Sequence, residues 1–138
     1  MTKQVFISGP IMGMENNQDY RQTIKDICQP LGLEVIDPWN REKNLYKGTE
    51  KYWWKTYNTF DFVERDLNDA ERCDIMIVYL PILSAGACME MFYAKRKGKH
   101  IITITEMPRI SPWIIAHSDK ILKNFNQLAD TLEQILKP

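Results

Sequence analysis

The sequence has no surplus of either charge, since 18 Lys and Arg residues face 18 Asp and Glu residues. Proteins that grip the phosphate backbone of a nucleic-acid polymer use an excess of Lys and Arg, so such a partner is not expected, whereas small anions remain possible. No apolar run is long enough to cross a bilayer, and the apolar stretch within MTKQVFISGP is too short for a signal peptide. We therefore expect a soluble, cytoplasmic protein without a membrane partner.

Residues that commonly hold metals or form disulfides are also scarce. The three cysteines, Cys28, Cys73 and Cys88, lack CxxC or Cys/His spacing and lie within apolar patterns, which favours reduced packing residues. His100 and His117 have no partners typical of a catalytic triad or a metal site. We expect neither a metal nor a cofactor.

Short apolar strands alternate with helical patterns along the chain. Its length of 138 residues supports one core, so we expect a single domain over residues 1–138. Strands that are separated by helices need crossover connections, which predicts an α/β fold with a mainly parallel sheet and helices on both faces. From Trp39 to Thr59 the periodicity is lost, which indicates a long loop with at most one helical turn. The predicted strands are Gln4–Ser8, Leu33–Asp37, Asp74–Pro81, His100–Thr105 and Lys120–Leu122; the predicted helices are Tyr20–Leu31, Asp61–Arg72, Ser84–Gly98, Trp113–Ala116 and Asn126–Leu136.

Ligands of such sheets bind at the carboxyl ends of the strands. After the first strand, Gly9 and Gly13 in SGPIMG either let a ligand approach the backbone or only shape the turn. After the third strand, Ala85-Gly86-Ala87 leaves the start of a helix bare, so its N–H groups can hold an oxyanion. Glu90, one turn later among apolar residues, suits a nucleophile toward a sugar carbon; the alternative is a solvated helix carboxylate.

Two other groups of residues have alternative interpretations. Asp66 and Asp69 share one helix face and could bracket a polar ligand, although solvated helix charge is the ordinary role of such residues. On the predicted helix Asp61–Arg72, the residues expected to face inward are Phe62, Leu67 and Ala70. The aromatic residues of 46–62 could be core, or could cap a pocket in which a flat heterocycle stacks; we expect a mixture.

Several motifs together resemble the nucleoside 2-deoxyribosyltransferase family, which includes nucleoside 5′-monophosphate N-hydrolases. They are FISGP, RDL at 65–67, DIMIVYLP, the spacing SxGxxxE from Ser84 to Glu90, and SPW…HSD from Ser111 to Asp119. The resemblance covers about residues 3–125. It implies a flavodoxin/Rossmann-like three-layer sandwich with five strands, a homo-oligomer, and cleavage of an N-glycosidic bond with Glu90 as nucleophile at C1′ and Asp66 beside the base. The substrate-binding positions that we assign are Ser8, Gly9, Pro10, Ser84, Gly86 and Ser111.

Two departures from the transferase pattern bear on the reaction. Phe6 stands where transferases have Tyr, and Ser84 stands where they have Asp. Ser84 matches the nucleotide hydrolases, in which this serine and the one matching Ser111 bind the 5′-phosphate, but the Arg that often follows the first loop of those hydrolases is absent from IMGMENN. Hydrolysis of a nucleoside monophosphate is favoured, and deoxyribosyl transfer, a non-catalytic nucleotide-binding module and glycosidic cleavage of NAD remain alternatives.

Overall fold

The computed structural model describes residues 2–138, which form a parallel five-stranded sheet covered by six α-helices. The strand order is β2-β1-β3-β4-β5, and all four pairings are parallel, as expected for the flavodoxin-like arrangement. The predicted fold class is confirmed. The strands are β1 (Gln4–Ser8), β2 (Glu34–Ile36), β3 (Ile75–Tyr79), β4 (His100–Ile104) and β5 (Lys120–Leu122); the helices are α1 (Tyr20–Cys28), α2 (Trp39–Tyr46), α3 (Thr59–Arg72), α4 (Ala85–Arg96), α5 (Pro112–Ala116) and α6 (Leu128–Leu136).

The two faces of the sheet each carry a core. On β3, Ile75 and Ile77 pack into the layer that contains α1 and α6, whereas Met76 and Val78 pack into the layer that contains α3 and α4. A strand that is covered on both faces reads as a continuous apolar run, which is why β3 was recognisable in the sequence. Across residues 2–138, no helix is both long and apolar enough to cross a membrane.

The structure corrects the prediction for the segment from Trp39 to Thr59. This segment holds the two-turn helix α2 and a 3-10 turn at Trp53–Lys55, rather than a loop with at most one turn. The buried residue of α2 is the charged Glu42, so an inward-facing carboxylate interrupts the apolar period by which a helix is recognised.

The predicted inward face of α3 is also partly wrong. Its buried residues are Asp66, Asp69 and Ala70, whereas Phe62 and Leu67 are only partly buried. The helix begins at Thr59, two residues before the predicted start, because the side chain of Asn58 caps it by accepting a hydrogen bond from the N–H of Asp61 at 3.1 Å. Two acidic groups therefore point inward from this helix.

The strand order reverses beside β1, which lies between β2 and β3. Ligands of open parallel sheets bind in the crevice at this place. The crevice wall follows directly from β1, where Gly9 packs against the ring of Tyr20 at the start of α1. Tyr20 in turn lies against Tyr79, with ring centroids 4.6 Å apart.

Replacing Gly9 with alanine should destabilise the fold. The added methyl group would lie 2.9 Å from Cζ of Tyr20, a buried ring that Tyr79 holds in place. We expect a loss of about 1–3 kcal/mol in the free energy of unfolding, measured by urea denaturation. Gly86→Ala is the matched control, because its methyl group meets no atom within 4 Å and should change stability by less than ~1 kcal/mol. Equal effects of the two substitutions would contradict this account.

Candidate active site

A cavity of about 380 Å³ lies at the carboxyl end of β1 and the amino end of α4. This size falls within the range of small-molecule sites. Ser111 does not line it; this residue caps α5, where its Oγ accepts a hydrogen bond from the N–H of Trp113 at 3.2 Å. The other positions assigned from the sequence all contribute to the wall: Ser8, Gly9, Pro10, Asp66, Ser84, Gly86 and Glu90.

Glu90 is half-buried and is held by one short hydrogen bond. The hydroxyl of Ser8 donates to its Oε1 at 2.7 Å. Burial and the nearby charge of Asp66 raise the pKa of Glu90 to about 8, while the Ser8 hydrogen bond and the charge of Arg21 act in the opposite direction. Phe6 has no hydroxyl, and Ser8 lies two residues later on the same face of β1.

Asp66 enters the cavity from α3 as half of an ion pair. Nη2 of Arg41 lies 2.9 Å from Oδ1 of Asp66 and 3.0 Å from Oδ2 of Asp69. Both aspartates are nearly buried, so solvated helix charge does not describe them. Arg41 therefore joins α2 to α3 and places a positive charge directly behind the cavity wall.

Glu42 is a site residue that the sequence did not point to. It is 3% exposed, it lines the cavity beside Asp66 and Glu90, and its Oε2 is buried without a hydrogen-bond partner. Burial and the nearby carboxyl groups of Asp66 and Glu90 raise the pKa of Glu42 well above its usual range. Because a glutamate in a presumed loop is ordinarily solvated, the sequence carried no signal for this position.

Arg21 is the second residue that the sequence did not single out. It also lines the cavity and is 2% exposed. Its Nη1 donates to Oδ1 of Asp37 at 2.7 Å and its Nε donates to Oε1 of Gln18 at 2.8 Å. IMGMENN itself contains no arginine, but Arg21, the second residue of α1, brings a cation to the cavity.

Only some of the aromatic rings of residues 46–62 reach the cavity, as expected. Tyr46 and Phe62 line it, with ring centroids 6.3 Å apart. The buried Trp53 packs behind both rings, at 5.2 Å from Tyr46 and 5.1 Å from Phe62. Tyr52 and Trp54 are exposed on the outer side. The cavity therefore has one aromatic wall opposite the start of α4.

Comparison with known proteins identifies the family. The nucleoside 2-deoxyribosyltransferase family model matches residues 5–128, so the chain belongs to this family of enzymes, which act on the N-glycosidic bond of nucleosides and nucleotides. The resemblance carried by FISGP and SxGxxxE is thereby confirmed. A search of curated protein sequences finds no match.

Solved structures share the fold at low sequence identity. A 2-deoxyribosyltransferase of Bacillus psychrosaccharolyticus superposes with a TM-score of 0.67 at 18% identity, covering 92% of this chain and 90% of that one. A CMP N-glycosidase of Clostridium botulinum gives 0.62 at 19% identity, with coverages of 96% and 99%. A conserved protein of Enterococcus faecalis gives 0.78 at 12% identity, with coverages of 99% and 100%.

The raised pKa of Glu90 should make stability depend on pH. Between its ordinary pKa of 4.5 and the folded value of about 8, the folded protein retains a proton that the unfolded chain has lost. The free energy of unfolding therefore falls as the pH rises through this window. Glu90→Gln removes the ionisable group, so the variant should be several kcal/mol more stable than the wild type at pH 8.5 and nearly equal to it at pH 4.5.

Calorimetry at the two pH values measures this difference. Glu133→Gln, the same change on the exposed face of α6, should leave stability unchanged at both values. A Glu90→Gln variant that is no more stable than the wild type at pH 8.5 would show that Glu90 is ionised without cost in the folded protein.

Proposed function

We propose that the protein hydrolyses the N-glycosidic bond of a nucleoside or deoxynucleoside 5′-monophosphate, with Glu90 as the nucleophile. The observation that carries this proposal is the hydrogen bond of 2.7 Å from Ser8 to Glu90 inside the cavity. It fixes one carboxylate oxygen, so the other oxygen is the one available to the substrate. A carboxylate in this position both stabilises an oxocarbenium-like transition state and forms a bond to C1′.

The base is proposed to lie against the aromatic wall, beside Asp66 of α3. Tyr46 and Phe62 offer ring faces for stacking, and Asp66 stands beside the base. When the C1′–N bond breaks, its electron pair passes to the base, which takes up a proton, while Glu90 holds the sugar as a covalent ester. Attack of water on C1′ then releases the sugar phosphate and frees Glu90.

The phosphate is proposed to lie at the start of α4. Ser84 caps this helix, and the N–H groups of Ala85 and Gly86 belong to the first turn, which has no intrahelical acceptors. Because Ser84 is neutral, it does not repel a phosphate at this position, whereas an aspartate would. We propose Ser111 as a phosphate ligand contributed by a second copy of the chain, because it lies outside the cavity of its own chain.

The direct test is an assay of base release. The purified protein is incubated with each common nucleoside and deoxynucleoside and its 5′-monophosphate, with and without a free acceptor base, and the products are separated by chromatography. We expect free base and sugar phosphate from a monophosphate, and at least a 1,000-fold slower reaction in Glu90→Gln, because the amide is not a nucleophile.

Three outcomes would contradict the proposal in different ways. Base release that survives in Glu90→Gln would exclude Glu90 as nucleophile. A new nucleoside that forms only in the presence of the acceptor base would show deoxyribosyl transfer. Tight nucleotide binding without any base release would show a non-catalytic binding module.

Ser84→Asp tests the phosphate end by itself. Aspartate still caps the helix, so the fold should be retained, but its charge repels a 5′-phosphate. We expect kcat/KM to fall about 10- to 100-fold for monophosphates and to change less than about threefold for nucleosides, since 1.4 kcal/mol of repulsion corresponds to a factor of ten. An equal loss for both substrate classes would indicate that Ser84 does not face the phosphate. Ser118→Ala is the control, because Ser118 is hydrogen-bonded to Thr103 and does not line the cavity.

A further inference from the structure

The three carboxyl groups of the cavity differ in the partners that they have. Asp66 has the guanidinium of Arg41 at 2.9 Å, and Glu90 has the hydroxyl of Ser8 at 2.7 Å. For Glu42, the nearest ion-pair contact is 3.8 Å from its Oε2 to Nη2 of Arg41, which exceeds hydrogen-bond length. Arg41 thus serves Asp66 and Asp69 and leaves Glu42 without a close cation.

A buried carboxyl group without a cation is neutral rather than charged. Glu42 is 3% exposed, and its Oε2 is buried without a hydrogen-bond partner among the described residues. Asp66 lines the same cavity but has the guanidinium of Arg41 at 2.9 Å. Of these two carboxyl groups, Glu42 is therefore the one that holds a proton.

Glu42 is in a position to give a proton to a departing base. Glu42 and Asp66 line the same cavity as Glu90, on the side of the aromatic wall. We propose that the carboxyl group of Glu42 supplies the proton that the departing base takes up, with Asp66 positioned beside it as an anion. This role rests on the proposed function, and it gives the proton a source that the assignment of Asp66 alone does not provide.

The atoms and electrons of this step balance. The C1′–N bond breaks with its electron pair on the base, the proton of Glu42 moves to the base, and a carboxylate oxygen of Glu90 bonds to C1′. Glu42 is then the carboxylate. When water attacks C1′, its proton passes to Glu42, and the C1′–O bond to Glu90 breaks with its electrons returning to Glu90.

The surrounding charges determine when Glu42 holds its proton. Burial and the nearby carboxyl groups of Asp66 and Glu90 favour the protonated form, and Arg41 favours the ionised form. Because these groups interact, the cavity titrates as a unit. The charged or titratable groups around it come from α1, α2, α3 and α4: Arg21, Arg41, Tyr46, Asp66, Asp69 and Glu90.

Glu42→Gln tests the proposal, because glutamine keeps the size and offers an N–H donor in place of the O–H donor but has no acidic proton. With the substrate identified by base release, we expect kcat/KM to fall about 100-fold at pH 7. The wild-type profile of kcat/KM against pH should rise as Glu90 ionises near pH 8 and fall again at higher pH as Glu42 ionises. In the variant the alkaline fall should disappear. Glu133→Gln should retain both limbs.

A second measurement does not depend on turnover. In protein labelled with ¹³C at the glutamate carboxyl carbons, the signal of Glu42 is identified by its absence from the spectrum of Glu42→Gln. We expect the chemical shift of a neutral acid at pH 7 and of a carboxylate only at higher pH. A carboxylate shift at pH 7 would overturn the proposal, and so would wild-type kinetics in Glu42→Gln. Absence of base release by the wild type would instead refute the proposed function, while the spectrum would still decide where the proton lies.

Discussion

The burial of three carboxyl groups in one cavity is the constraint on which the rest of the site depends. Glu42, Asp66 and Glu90 cannot all be ionised there, since each charge loses hydration and repels the other two. The surrounding residues divide the charge among them. Arg41 neutralises Asp66, and the Ser8 hydroxyl and the charge of Arg21 partly offset the burial that raises the pKa of Glu90. Glu42 receives no comparable partner, so the proton remains there.

This division also explains how an acidic cavity could admit an anionic substrate. Arg21 is paired with Asp37, and Arg41 is paired with Asp66 and Asp69, so the cations at the wall are already matched. The proton on Glu42 removes one negative charge from the cavity and so lowers the repulsion of a phosphate at the start of α4.

The fold was predictable from the sequence because each strand and most helices carry a complete local pattern. The position of Glu90 in the cavity was predictable because a carboxylate among apolar residues after a bare helix start is unusual, whereas Asp66 was chosen over the other aspartates only through the family resemblance. Glu42 and Arg21 were not predictable, because their roles arise from contacts between distant segments. Arg41 meets Asp66 across 25 positions, and Arg21 meets Asp37 across 16. The helix that carries Glu42 was itself missed, since its inward residue is charged.

The same contacts determine which acidic group can be replaced without changing the structure of the site. Asp66 binds Arg41, and Arg41 also binds Asp69, so this cluster fastens α2 to α3 and forms the wall. Removing the charge of Asp66 would therefore change the position of the wall together with its chemistry, and a loss of activity would not distinguish the two. Glu42 lies on the wall without holding it, because Tyr46 packs against Phe62 and Trp53 independently of the carboxyl group. Replacing Glu42 with glutamine can therefore remove the proton and keep the shape of the cavity. Such a variant tests the acid step without changing the structure of the site.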